Sequence, residues 1–159
     1  LENKGNKGTL TLSINPFIPK PFTPFQWLPM MEKSIVEREL RQIRQGLKGH
    51  KGIEILTESV KESYVQGVLA RGDRRLGPVL QAAHAAGGPG AFWRALRDSG
   101  LNADFYLYRM RSKEEIFPWE ILDMGIDRRY LWMELRRAER GESTPACFDG
   151  CRRCGVCGE

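Results

Sequence analysis

Polar and apolar residues alternate through Thr9-Leu10-Thr11-Leu12-Ser13-Ile14-Asn15, placing Leu10, Leu12 and Ile14 on one face. A period of two predicts a half-buried strand over 9–15. A strand needs neighbours for its backbone, and the chain offers few. The period then changes. Val36, Leu40, Ile43 and Leu47 recur at spacings of four, three and four, with Glu37, Arg38, Arg41, Arg44 and Lys48 opposite, which predicts a helix from about 30 to 47. Gly49-His50-Lys51-Gly52 ends it, and residues 53–57 read as a short strand. Ser59 and Glu62 form a capping box, each side chain placed to satisfy the other's free amide. The helix that follows turns Val60, Tyr64, Val68 and Leu69 inward and stops at Arg71-Gly72-Asp73. Further helices are expected over 75–86, with Leu76, Val79, Leu80 and Ala83 inward, and over 91–99, closed by Gly100. Residues 104–110 fit either a strand or an irregular packed segment. Ser112 and Glu115 make a second capping box, whose helix Pro118 cuts short, and Asp127 caps a last helix over 128–140 that ends at Gly141.

One stretch fits neither period. Residues 16–29 hold five prolines, each fixing φ and removing an N–H donor, so the segment is expected to be extended. It also carries Phe17, Phe22, Phe25 and Trp27, which a solvated linker would not. It reads as a packed connector or as a rigid wall of a binding site.

Composition narrows the class. The chain has 159 residues, 41% of them hydrophobic, which suits one globular domain with a real core. No apolar run approaches the roughly 18 residues of a membrane span, and no apolar signal core is present, which points to the cytoplasm. Residues 1–8 read as a flexible lead-in, and the missing initiator Met reads as a fragment. A net charge of +5 describes a basic surface and permits an RNA, phosphate or acidic-protein partner. His50 and His84 have no catalytic partner nearby in sequence and read as structural or surface residues. Arg71-Gly72-Asp73-Arg74-Arg75 either grips a phosphate or carboxylate or makes internal salt bridges and caps. There is no Ser/His/Asp arrangement, no phosphate loop and no HExxH, so no complete active site can be assembled from sequence.

The last chemistry is in the tail. Cys147, Cys151, Cys154 and Cys157 are the only cysteines, separated by three, two and two residues. Such short turns let thiolates converge on an iron–sulfur cluster or zinc, and Arg152 and Arg153 would offset their charge. The alternative is a disordered thiol-rich tail, or one that relies on a partner for ligands.

Three stretches together carry a family resemblance: Leu12-Ser13-Ile14-Asn15-Pro16-Phe17-Ile18-Pro19-Lys20-Pro21-Phe22-Thr23-Pro24-Phe25-Gln26-Trp27, then Leu69-Ala70-Arg71-Gly72-Asp73-Arg74-Arg75-Leu76, then Pro118-Trp119-Glu120 leading to the cysteine tail. In this order they resemble the C-terminal part of radical SAM proteins that carry an N-terminal cobalamin-binding-type domain, a family whose substrate is unassigned. The resemblance implies an α+β fold, mainly α-helical. Residues 1–48 would be the last strand, proline segment and helix of a partial (β/α)6 barrel. Residues 49–141 would be a helical C-terminal extension, and 142–159 a metal-binding tail. It places Asn15, Pro16 and Phe17 near the adenosyl end of S-adenosylmethionine (SAM), and Lys20 and Thr23 near the barrel mouth. The parent enzyme would use SAM, a [4Fe-4S] cluster and cobalamin, and this chain's partner would be the N-terminal barrel. Cys147, Cys151 and Cys154 repeat the Cys-x3-Cys-x2-Cys spacing of the SAM-cluster loop, but that loop opens a barrel, so the match reads as coincidence. Lacking the true loop, the chain is expected to be inactive alone. Ile121 and Leu122 stand where the family is expected to carry a histidine and an acidic residue. A rival reading from another class is a metal-stabilised module that docks RNA or protein through Arg128, Arg129, Arg136, Arg137, Arg140, Arg152 and Arg153.

Overall fold

A computed structural model describes residues 8–157, so the lead-in expected over 1–8 lies, but for Gly8, outside the described residues. Strand β1, Leu10–Ser13, does find a neighbour within the chain, which corrects the expectation of a strand cut off from its sheet. It pairs in parallel with β2, Ile53–Leu56, in the register Leu10↔Ile53 to Ser13↔Leu56. Parallel strands need a long crossover. Here the proline segment and helix α1, Lys33–Gly46, supply it. Only Val36 and Leu40 of α1 are fully buried, and Ile43 at its end is exposed.

The proline segment has no regular secondary structure over residues 14–20 and then departs from the expected extended course. Phe22 takes a left-handed backbone conformation, φ 57°, and Pro24–Trp27 form a 3-10 turn. Pro24 opens that turn, where its missing N–H has no intrahelical partner to lose. The turn brings Trp27 to zero exposure.

Four helices follow β2: α2 (Val60–Arg71), α3 (Leu76–Ala85), α4 (Phe92–Asp98) and α5 (Ala103–Leu107). Ser59 caps α2 as expected, its hydroxyl accepting from the Glu62 N–H at 3.4 Å. These helices enclose one core of Met30, Tyr64, Val68, Leu76, Val79, Phe92, Leu96, Tyr106 and Leu107. Leu69 and Leu80, expected inward, are exposed, because the burying faces run through Val68 and through Val79 and Ala83. The ambiguous stretch 104–110 resolves as α5, capped by the Asn102 side chain on the Asp104 N–H. Where α2 passes α5, Gly67 leaves space that Met30 and Leu107 fill.

A second core gathers Trp27, Phe117, Trp119, Leu131 and Leu135, the last two from α6, Arg128–Glu139. Asp127 caps α6 through the Arg129 N–H at 2.7 Å. The second capping box does not form. Arg109 takes the Glu115 carboxylate through bonds of 2.6 and 2.5 Å, and the helix expected after Ser112 is replaced by turns and a 3-10 helix, Pro118–Ile121. No helix among the described residues is long and apolar enough to cross a membrane.

Candidate functional site

The extended run after β1 borders a pocket of about 340 Å³. Ligands of parallel α/β sheets bind outside the carboxyl ends of the strands, and this pocket lies at that end. Its wall comes from Ile14, Asn15, Pro16 and Phe17, then Pro29, Met30 and Met31. The floor comes from Val36, Glu39, Leu40 and Ile43 of α1 and Tyr64 of α2. The lining is apolar except for three side chains. Asn15 accepts the Glu58 N–H at 2.9 Å. Tyr64 donates to the Met31 carbonyl, and burial, with Tyr108 beside it, pushes its phenol far above the ordinary range, so it stays neutral. Glu39 is the one charged lining residue. Phe17 projects at 62% exposure, steadied edge-on by Phe25 at 5.4 Å. A mainly apolar lining with a few polar side chains is the common make-up of a small-molecule site.

Three of the five residues expected near SAM therefore meet at one pocket, and two do not. The Lys20 ammonium donates to Gln66 of α2 at 2.7 Å, and the Thr23 hydroxyl donates to the Lys20 carbonyl at 2.8 Å, so both tie down the segment. Glu39, Tyr64 and the two methionines carried no sequence signal for this site. Helical spacing marked Tyr64 as core only.

The stretches that carry the family resemblance converge elsewhere, on Gln26 and Trp27. Trp119 donates its indole N–H to the Gln26 side-chain oxygen at 2.9 Å, and the Phe22 N–H donates to the same oxygen at 3.1 Å. Arg71 donates to the Tyr106 carbonyl at 2.8 Å and to the Gln26 carbonyl at 3.5 Å. Arg111 closes the ring. Its side chain donates to the Arg71 carbonyl at 2.8 Å and its backbone N–H to the Trp27 carbonyl at 3.0 Å. Arg71 and Arg111 are 1% and 3% exposed. Burial, with Arg111 and Arg109 nearby, pushes the Arg71 guanidinium down to about 10, still protonated at neutral pH. Within the Arg71–Arg75 run, Asp73 takes the Arg75 guanidinium through bonds of 2.7 to 3.1 Å, and the Tyr106 hydroxyl reaches Asp73 at 3.4 Å. The run is thus used internally, as salt bridges and backbone ties. Arg111 was not legible in sequence, because an arginine in a polar stretch looks solvated. Beside this network lies a second pocket of about 280 Å³, where Trp119, Glu120, Asp123, Met124 and Arg128 contribute to the lining.

In the tail, Cys151 is buried and its N–H donates to the Phe148 carbonyl at 3.0 Å, closing a turn through Gly150. Arg153 reaches back across this turn. Its Nε donates to Cys151 Sγ at 3.1 Å and its Nη2 to the carbonyls of Pro145 and Ala146 at 2.9 and 2.8 Å. The Arg153 side chain and backbone N–H beside its sulfur hold the Cys151 thiol down to about 7, while charge on Cys151 would raise the exposed Cys147. The Cys154 carbonyl accepts the Asp127 N–H at 2.8 Å, seating the tail on the start of α6. The four sulfurs do not gather as their spacing predicts. Among the described residues, no group of three or more His, Cys, Asp or Glu is placed to hold a metal ion. A four-thiolate site does not fit this arrangement, in which the loop turns Cys151 toward an arginine instead. His50 and His84 are both exposed.

Compared with protein-family models, curated proteins and solved structures, the chain matches none.

Proposed function

We propose that this chain is the C-terminal region of a radical SAM-type enzyme, adding its strand pair to a larger parallel sheet and one wall to the SAM site. The observation that carries the reading is the β1–β2 pair itself. Parallel sheets are stable when buried on both faces, and two strands alone are marginal. Here the pair stands as a two-stranded sheet among the described residues, with Leu10 43% and Leu56 50% exposed. Such strands are built to be covered and extended. The apolar pocket at the end of β1 supports the same reading, since it gathers Asn15, Pro16 and Phe17.

Radical SAM chemistry is the one-electron reductive cleavage of SAM to methionine and a 5′-deoxyadenosyl radical, with the electron delivered by a [4Fe-4S] cluster. In the proposal the cluster loop belongs to the partner barrel. This chain's residues do the binding: Phe17, Met30 and Met31 offer apolar surface to a purine, and Asn15 and Glu39 offer polar atoms at its rim. The expected iron–sulfur or zinc tail, and cobalamin in the parent, gain no support from the arrangement of the cysteines, and no step depends on them.

The rival reading, an RNA- or protein-docking module, needs free arginines. Arg128 is paired with Glu120, Arg136 with Glu139, Arg137 with Glu134 and Arg140 with Glu142, at 2.5 to 3.1 Å. That pairing leaves few donors for phosphates.

The test is anaerobic reconstitution of this chain joined to its barrel, with SAM and a low-potential reductant. We expect 5′-deoxyadenosine, with SAM affinity falling about tenfold in Phe17→Ala, as loss of one aromatic wall implies. A joined protein that forms no 5′-deoxyadenosine, or that is indifferent to Phe17, rejects the proposal. Salt-sensitive RNA binding by the chain alone would favour the rival.

A further inference from the structure

We infer that the second pocket, beside Gln26 and Trp119, binds a small planar carboxamide that carries an amino group at its opposite end. The Gln26 side-chain amide carries the argument. Its oxygen accepts two N–H donors, the Trp119 indole at 2.9 Å and the Phe22 backbone at 3.1 Å. Two donors on one side fix which end of the amide is oxygen, because an NH2 placed there could accept neither. The NH2 is thereby committed to the other side, where no acceptor among the described residues takes it. Gln26 is only 3% exposed. The donors enclosed without a partner are Trp27 Nε1, Arg71 Nη2, Arg109 Nε and Arg111 Nε, so the Gln26 NH2, equally unpaired, keeps an opening. Gln26 lines the pocket of about 280 Å³, and that pocket provides the opening. A nearly buried donor with no acceptor is costly, and a ligand carbonyl would supply what is missing.

The rest of the lining narrows the ligand. Phe22 and Trp119 contribute rings, and Ile126 and Leu131 aliphatic surface, which suits an aromatic body. Three charged residues also line the pocket, and two of them neutralise each other. Arg128 is spent on Glu120 at 2.6 Å and on the carbonyls of Lys113 and Glu115. Asp123 accepts the Gly125 N–H at 2.8 Å through Oδ1, and no cation pairs with it among the described residues. The unneutralised charge at the pocket is therefore negative, which favours a neutral or cationic ligand over a carboxylate. The backbone adds a sign of a clamp. Phe22 sits at φ 57°, a conformation that a residue with a side chain keeps only where its surroundings over-determine it. Gln26 holds it there through the same oxygen that orients the free NH2. The pocket shares no lining residue with the proposed SAM site, and the inference does not depend on that reading.

The experiment titrates the full chain, isotope-labelled for NMR, with para-aminomethylbenzamide, whose carbonyl and ammonium stand at opposite ends of one ring. The Gln26 side-chain NH2 and the Trp119 indole N–H report binding. We expect both resonances to shift together with a Kd of roughly 1 mM or tighter, in the range for a ligand of about eleven heavy atoms. Para-methylbenzylamine, which lacks the carbonyl, should bind at least about tenfold more weakly. Gln26→Glu keeps an acceptor for Trp119 and Phe22 and removes the donor, and should weaken the probe by about the same factor. Asp123→Asn should weaken the probe about threefold and leave benzamide, which has no ammonium, unchanged. No shift of either resonance at about 10 mM probe would overturn the inference. So would para-methylbenzylamine binding as tightly as the amide, or a folded Gln26→Glu variant with unchanged affinity. Should that variant fail to fold in a thermal melt, the comparison of the two probes on the unmodified chain decides alone. Neither readout involves Phe17 or SAM, so failure here leaves the SAM-site proposal standing.

Discussion

Arg71 shows how far a residue's role can depart from its type. In sequence it heads a charged run that suits phosphate or carboxylate binding. In the fold its guanidinium is spent on the carbonyls of Tyr106 and Gln26, deep under the proline segment. Removing it leaves those acceptors unpaired and a void where the side chain was. Arg71→Ala should therefore destabilise by about 2–4 kcal/mol, whereas Arg74→Ala, three residues on and exposed, should stay within about 0.5 kcal/mol. Urea unfolding of the two variants checks the contrast, and equal effects would mean that the network does not hold the segment. Glu115 illustrates the same rule from the acidic side. Its position after Ser112 spells a helix cap, but Arg109 captures it, because a bidentate guanidinium–carboxylate pair outweighs one local capping bond.

At the scale of elements, the caps and stop signals were local and were readable. Ser59 and Asp127 sit at the starts of α2 and α6 and do what their side chains dictate. The faces of the helices were readable only where a neighbour packs in the expected direction. Leu69 and Leu80 satisfy the 3.6-residue period but stand at the edge of the stripe, and no element covers them. Helix α5 was missed because a single turn rich in aromatics fits a strand as well as a helix. The contact of α2 with α5 gives a test in which propensity and packing disagree. Adding a methyl at Gly67 should gain about 1 kcal/mol of helix propensity. The same methyl would run into Met30 Sδ and lie 2.9 Å from Leu107 Cδ2, an overpacking that costs about 1–3 kcal/mol. Gly67→Ala should therefore lower the unfolding midpoint. Gly46→Ala, at the end of α1 with nothing within 4 Å, should leave it unchanged or raise it.

At the scale of the whole molecule, stability is unevenly distributed. The two cores share the proline segment, with Ile18 packed on one and Trp27 in the other, while the β1–β2 sheet carries exposed apolar residues. Backbone amides of Leu12 and Leu56, which the parallel ladder pairs, should exchange with solvent at least about a hundredfold faster than those of Val68 and Tyr106, reflecting local opening well below the global unfolding energy. If the proposed partner barrel covers this sheet, joining it should slow exchange in the strands and leave the core unchanged. Strands as protected as α2 in the isolated chain would remove the argument that the sheet awaits extension.

The sequence by itself determined the local elements: the period-two strand, the amphipathic helices, their caps, and a proline run that cannot be solvated linker. Each follows from interactions within a few residues, which the chain order encodes directly. The tertiary structure alone decided that β1 pairs with β2 across 43 residues, that Glu39 and Tyr64 share a pocket with Asn15, Pro16 and Phe17, and that two buried arginines hold the resembling stretches together. It also decided the cysteines. Their spacing permits four sulfurs to converge, but convergence depends on what the loop packs against, and here Cys151 is buried against Arg153 while the Cys154 backbone is held at the start of α6. Spacing states which geometries a chain can reach. Only the contacts of the folded molecule select one.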